Sequence, residues 1–273
     1  MGIATYEEHH APAHLSPLIA AVWQIRGSST ECKVRRILPD GCADVIIDLA
    51  QWQQTGVARI LAVGPMTKAV LVPSGNDMDL VGVRFRPGAG RGVVATNFAE
   101  MLDAVVPLER ATVKLPISCE QMFRAPSIRN RADLILQSLI LYQSDWPQCP
   151  NTVLEAMHIW RSAARSLNSI PTVATVATAA RQIRVGERRL ERLFSRWTGY
   201  TPVQFRRLVR FRAAIRMAQA NRHSWTDVAT RCGYADQAHL TRDFQAFACT
   251  TPTIWAKEQR TVGYVQDGQV TAL

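Results

Sequence analysis

Apolar positions along the first part of the chain come in short runs. The runs LIAAVWQIR, KVRRIL, ADVIIDLA, RILAVG, KAVLVP and DLVGVRF, between Leu15 and Phe85, are rich in Val, Ile and Leu. Turn sequences such as LPDG and PSGND separate them, which predicts strands joined by tight connections. Regularly spaced strands with no helix between them point to a small antiparallel sandwich or barrel. Alternation puts Ala43, Val45, Ile47 and Leu49 on one side of their strand, with Cys42, Asp44 and Asp48 on the other. Val81, Val83 and Phe85 similarly oppose Arg84 and Arg86. Residues 1–14 are polar and predicted to be irregular. His9, His10 and His14 there read as a flexible tail rather than a metal site. Residues 91–145 turn helical, with a helical rhythm from Phe98 to Leu102 and a strongly apolar helix, ADLILQSLILY, from Ala132 to Tyr142. Such a helix either packs on its own sheet or pairs with a copy of itself. The proline-containing stretch SDWPQCPN, residues 144–151, is the best linker.

Beyond the linker the period is helical throughout. VLEAMHIW places Leu154, Met157 and Trp160 on one face. A short helix follows with Val173, Val176, Ala177 and Ala180 apolar, then a turn carrying Ile183 and Val185. ERRLERLFSRWT continues as a second helix with Leu190, Leu193, Phe194 and Trp197 inward. Arg188, Arg189, Glu191, Arg192 and Arg196 fall on its outer arc. Thr201-Pro202 starts a connector that runs to about Ala220, roughly 28 Å long at 1.5 Å per residue. The stretch from Ser224 to Trp255 then repeats the design. Val228, Ala229 and Cys232 line a short helix, Gly233 stops it, and Asp236 starts the next. Leu240, Phe244 and Phe247 face inward, while Gln237, His239, Thr241 and Arg242 face outward. Two short helices crossing at a Gly-containing turn, the second basic on its outer face, form the pattern of a DNA-reading helix-turn-helix.

Charge sharpens this division. The chain of 273 residues carries a formal net charge of +10. Residues 171–260 hold 16 Lys/Arg against 6 Asp/Glu, and the remainder is balanced at 16 of each. Fifteen of those sixteen are Arg, the residue that makes bidentate contacts to phosphate and guanine. A basic half of this kind suits double-stranded DNA. No apolar run reaches the roughly 20 residues that span a bilayer, and the amino terminus lacks the basic-then-apolar pattern of a signal peptide. Six scattered cysteines with no CxxC pair read as reduced thiols of a cytoplasmic protein, with neither a structural metal nor a cofactor expected.

G-Y-x-D-Q-x-H-L-x-R-x-F followed by T-P-x-x-W, from Gly233 to Trp255, resembles the second helix-turn-helix of the AraC family of bacterial transcription regulators. Residues 173–198, with the L-x-R-L-F-x-x-x-x-G core, resemble its first. Two positions depart from the family: Arg184 stands where Gly is common in the turn, and Gly186 where a Ser N-cap is common. The stretches LPDGCADVIID, VGPMT and GVRFRPGA resemble an N-terminal module carried by a subset of these regulators.

The resulting expectation is an α+β chain. A β-rich sensing or dimerisation domain occupies 1–145 and a linker 146–152. A DNA-binding domain with helix-turn-helix motifs at about 173–198 and 225–248 spans 153–260, and a tail spans 261–273. The resemblance implies a sequence-specific regulator that inserts two recognition helices into successive major-groove segments. Arg188, Arg192 and Arg242 are the expected base readers, with Arg189, Glu191, Arg196, Gln237 and His239 beside them. Arg206, Arg207 and Arg210 on the connector are candidates for phosphate. Asp44, Arg84 and Arg86 are candidates for an effector, with cross-strand ion pairing as the competing reading. A homodimer, a small-molecule effector and RNA polymerase are the further partners implied, and no catalysis is expected. The competing class is an enzyme or a metal or thiol sensor fused to a DNA-binding domain. It rests on His9, His10, His14, Cys32 and Cys42, which match no metal, nucleophile-elbow or P-loop spacing.

Overall fold

The computed structural model describes residues 5–27, 33–74, 77–92, 97–107, 118–141, 146–165, 174–220 and 223–261. The readings that fall on Cys32, Tyr142 and Val173, on residues 142–145 of the linker region, and on the tail from 262 lie outside these.

Among the described residues, eight strands build the amino-terminal half: β1 (Thr5–His10), β2 (Ile19–Gly27), β3 (Lys33–Ile37), β4 (Ala43–Asp48), β5 (Arg59–Val63), β6 (Val70–Ser74), β7 (Met78–Phe85) and β8 (Val105–Pro107). Six form an antiparallel sheet in the order β1-β2-β7-β4-β5-β8, and β3 pairs with β6 as a separate ribbon. The alternation read from the sequence holds. Ala43, Val45, Ile47, Val81, Val83 and Phe85 are buried in one core, while Asp44 and Arg84 occupy the opposite face as direct cross-strand neighbours. Gly82 is required on that opposite face. A Cβ there would lie 2.1 Å from the Trp23 ring, which covers it from β2.

Three features differ from the sequence reading. Residues 5–10 are not irregular: they form edge strand β1, with His9 and His10 opposite Val22 and Ala21. The strand from Ala43 stops at Asp48, whose carboxylate accepts from the Gln51 N–H at 3.0 Å and starts α1 (Leu49–Thr55), so a helix does intervene among the strands. The stretch from Phe98 makes a single 3₁₀ turn and then enters β8 on the edge of β5, in place of a helix. Helices α2 (Cys119–Arg124) and α3 (Ile128–Ile140) follow. α3 packs on β1 and β2, burying Ala132, Ile135, Leu136 and Leu139 in the core of its own sheet. Buried Arg131 on α3 pairs with Asp79 at the start of β7.

The carboxy-terminal half is all helical: α4 (Asn151–Arg165), α5 (Val176–Gln182), α6 (Glu187–Thr198), α7 (Pro202–Gln219), α8 (Trp225–Arg231), α9 (Gln237–Ala248) and α10 (Pro252–Thr261). Local signals set their starts. Thr201/Gln204 and Ser224/Asp227 form capping boxes on α7 and α8, and Asp236 caps α9 by accepting from the His239 N–H at 2.6 Å. On α4 the buried face is Val153, Ala156, Met157 and Trp160, and Leu154 points outward at 44% exposure. Its register is rotated from the one expected because residues 153, 156, 157 and 160 follow the i, i+3, i+4, i+7 rule.

Arg184 adopts φ +54 in the turn between α5 and α6, and Gly186 caps α6 without a side-chain bond. The left-handed position strains a residue with a Cβ, and the cap lacks an acceptor. No atom lies within 4 Å of where a Gly186 Cβ would sit. Replacing both, Arg184→Gly with Gly186→Ser, should raise stability by about 1 kcal/mol, read as a higher urea midpoint at unchanged slope.

Candidate nucleic-acid interface

Two helix pairs are built the same way. α5 and α6 make the first, α8 and α9 the second, and α7 lies between them, packing on α4, α6, α8 and α9. Phe205 on α7 joins Trp160 and Phe194, its ring 5.2 Å from that of Phe194. Six residues on, Phe211 stands 5.1 Å from both Phe244 and Phe247 of α9. Trp225 and Trp255 close the second cluster against Phe244. Both elements thus share one continuous apolar core through α7.

The outer faces follow from that burial. On α6, Leu190, Phe194 and Trp197 are buried, which leaves Arg188, Arg189, Glu191, Arg192 and Arg196 exposed together. On α9, Leu240, Phe244 and Phe247 are buried, and Gln237, Ala238 and Arg242 are exposed. Gln237 accepts from the Thr226 hydroxyl of α8 at 3.2 Å.

His239 sits differently from its neighbours. Half-buried, it puts Nε2 at 3.1 Å from Nη2 of Arg210 on α7. A guanidinium can only donate, so Nε2 accepts in this contact, while Nδ1 lies 3.5 Å from the Ala235 N–H. Burial and the neighbouring Arg210 charge both push its pKa below the usual histidine value. Arg210 also lies 4.2 Å above the Tyr234 ring.

Behind this contact is a residue that sequence reasoning missed. Asp243, only 1% exposed, accepts from Arg207 at 2.7 Å and from Arg210 at 3.0 Å. Arg207 and Arg210, two of the three phosphate candidates on the connector, are therefore tied to α9. The third, Arg206, is half-buried, and burial together with Arg210 lowers its pKa. A signal for Asp243 existed: it stands on the inward face of α9 between Leu240 and Phe244, where a carboxylate requires a partner.

The amino-terminal candidates also separate. Arg84 meets Glu8 at 3.2 Å, Asp44 at 3.4 Å and Asp40 at 3.6 Å, so three carboxylates surround one guanidinium. Burial works against the Arg84 charge, but Asp44 and Asp40 overcome it and hold its pKa above the usual value. Burial raises the pKa of Asp44, which also accepts from the Trp23 indole at 2.7 Å. Arg86 is turned away from this cluster and donates to the Ser16 carbonyl. Cys42 lies beside it with its thiol pKa pushed well up by burial, and burial likewise raises Cys149 to about 12 and Cys232 to about 11. These thiols are held away from the reactive thiolate form.

Comparison with known proteins places this geometry. A family model described as a helix-turn-helix domain matches residues 179–258, from within α5 to α10. The chain carries a helix-turn-helix domain. A second model, a domain of unknown function (DUF6597), matches residues 7–107, the strand-rich part of the amino-terminal half. Among solved structures, an AraC-type transcriptional regulator from Chromobacterium violaceum is 22% identical, covering 40% of this chain and 92% of its own, at a TM-score of 0.36. The DNA-binding domain of AdpA in complex with a target DNA is 23% identical, covering 39% and 94%, at 0.35. ToxT from Vibrio cholerae O395 is 11% identical and covers 95% and 98%, at 0.43. No curated protein matches the chain. Among its described residues, no helix is long and apolar enough to cross a membrane.

Proposed function

We propose that the chain is a DNA-binding transcription regulator of the AraC type and that it reads DNA with α6 and α9, each laid in its own major-groove segment on one face of the duplex. The observation that carries this is the pair of exposed polar faces, rich in Arg on α6, on helices that share a single core. Arg188 and Arg192 stand one turn apart on α6, and Arg242 takes the matching role on α9, each suited to guanine O6 and N7. Glu191 accepts from cytosine N4 or orients its arginine neighbours. Arg189 and Arg196 flank the reading stripe and contact phosphate, and Gln237 reaches the groove from the first turn of α9.

His239, Arg207 and Arg210 serve chiefly to fix α9 on α7. The His239 nitrogen that would face a base is engaged by Arg210, and both arginines are engaged by Asp243. Arg206 is a candidate for phosphate contact.

The amino-terminal half responds to an effector or pairs two copies of the chain, and the protein acts in the cytoplasm by binding rather than by catalysis. Because Arg84 is already surrounded by carboxylates, an effector acting at Asp44 and Arg84 must displace an ion pair. A negatively charged effector meets net negative charge there, which disfavours the anion-holding role for Arg84.

Selection of bound duplexes from a random pool tests the DNA reading. Wild type should enrich an asymmetric site with two short blocks about one helical turn apart. Arg192→Ala and Arg242→Ala should each relax only its own block, losing about 1–3 kcal/mol of discrimination. Absence of any enriched sequence at 150 mM salt, with binding retained at low salt, would replace this reading with a non-specific DNA grip.

A further inference from the structure

The three stretches that marked the amino-terminal module, LPDGC, VGPMT and RPGA, lie on one side of it, against the DNA-binding half. Leu38 is fully buried within the core of the helical half. Gly41, at φ +86, lies so close to α7 that a Cβ would come within 3.3 Å of the Phe205 ring. Gly88 does the same against Cys149, at 2.8 Å.

The segment 64–69 touches both reading elements. The Tyr200 hydroxyl, two residues beyond α6, donates to the Met66 carbonyl. Three residues on, the Ala69 N–H donates to the Phe247 carbonyl in the last turn of α9, at 2.7 Å. Arg36 on β3 completes that end: Nη1 donates to the Ala248 carbonyl at 2.8 Å, while Nε and Nη2 reach the Glu258 carboxylate on α10, both at 3.0 Å. The last carbonyls of a helix have no partner within it, and a cation there also favours the negative dipole end. The amino-terminal module supplies both to α9.

This segment has no slack. Thr67 donates through its N–H and hydroxyl to the Asp103 carboxylate, and the Asp103 N–H donates to the Pro65 carbonyl. Three residues of extended chain cover at most about 11 Å. The ends of α6 and α9 are therefore linked twice, once through α7 and once through this short strap.

We propose that segment 64–69 and Arg36 set the spacing and rotational phase of the two recognition helices, so that the amino-terminal module is a positioning element for DNA reading as well as a sensor or dimerisation unit. A single connector helix leaves bending and twisting between the two reading elements, and a second link at their far ends removes it. The proposal rests on the two-helix reading above.

The test uses the full chain and the site enriched by wild type, together with duplexes carrying one or two base pairs inserted or deleted between its blocks. Each base pair turns the duplex by about 34–36° at 10–10.5 per turn, so wild type should lose at least about tenfold in affinity per step. Arg36→Ala and Tyr200→Phe should keep both blocks but lose less than about threefold per step. Tyr200→Phe removes one hydroxyl, so it keeps the question open to measurement if Arg36→Ala fails to fold. Spacing penalties equal to wild type in both variants overturn the proposal while leaving the two-helix reading intact. Tighter binding at every spacing also overturns it, by making the contact a restraint on DNA binding. Failure of wild type to enrich any site removes the two-helix reading itself, and the proposal with it.

Discussion

Asp243→Asn should destabilise the DNA-binding half by about 3 kcal/mol, because removing one member of a buried ion pair leaves the other charge uncompensated. Asp243 is 1% exposed and holds Arg210, whose side chain is 18% exposed, together with Arg207 at 45%. The Arg207 contact is open enough to be screened by water and salt, so most of the loss arises at Arg210. Urea unfolding followed by tryptophan fluorescence measures it, since Trp225 and Trp255 lie in the same aromatic cluster as Phe244 beside Asp243. Arg210→Met combined with Asp243→Leu should recover most of the stability, because an apolar pair of similar volume escapes the desolvation cost. A single variant within about 1 kcal/mol of wild type would show that the two arginines find water instead.

Gly64→Ala should be at least as damaging. Its Cβ would lie 1.7 Å from the Met101 carbonyl oxygen, a backbone atom that no rotamer change can move. The Gly64 N–H also donates to the Ala104 carbonyl at 2.9 Å, so the strand cannot back away without breaking that bond. Relief requires separating the 64–69 segment from the 98–104 loop, at a cost of about 3 kcal/mol or more. Soluble yield and thermal midpoint of the full chain are the measurements, with Gly56→Ala as a control. Gly56 has nothing within 4 Å and only the strain of φ +72 to resist the change. Similar losses in both variants would mean that close approach contributes nothing at Gly64.

The helical half was legible because its signals are local. Caps at Thr201, Ser224 and Asp236, apolar positions three and four apart, and Gly233 as a stop are all read within a few residues of where they act. Strands β2, β4, β5 and β7 were legible for the same reason, since alternation is a nearest-neighbour pattern. β1 was not. Its sequence TYEEHH is polar on both faces, and its side is given by partners distant in the chain, Trp23 stacked on Tyr6 and Arg84 meeting Glu8. The end of β4 was hidden because Leu49 continues the apolar alternation, while Asp48 ends the strand by bonding backward as a cap. The candidate effector residues were placed on the correct face, yet what surrounds Arg84 comes from three separate stretches of chain. Contacts between the two halves were illegible for a different reason. Several are made by main-chain groups of Met66, Ala69, Phe247 and Ala248, whose partners no side-chain identity encodes.

The pairing of Arg36 with Glu258 spans 222 residues. During synthesis the strand ribbon emerges early, with Leu38 and Arg36 shaped to fit helices that do not yet exist. At about 5–20 residues per second, the ribosome needs roughly 10–45 s more before α10 is made. Over that interval the nascent amino-terminal module carries an uncovered apolar side chain and an unpaired cation. The last turn of the chain's second reading helix is finished only when this waiting surface closes on it, which makes completion of the DNA-binding half a late event in the life of each molecule.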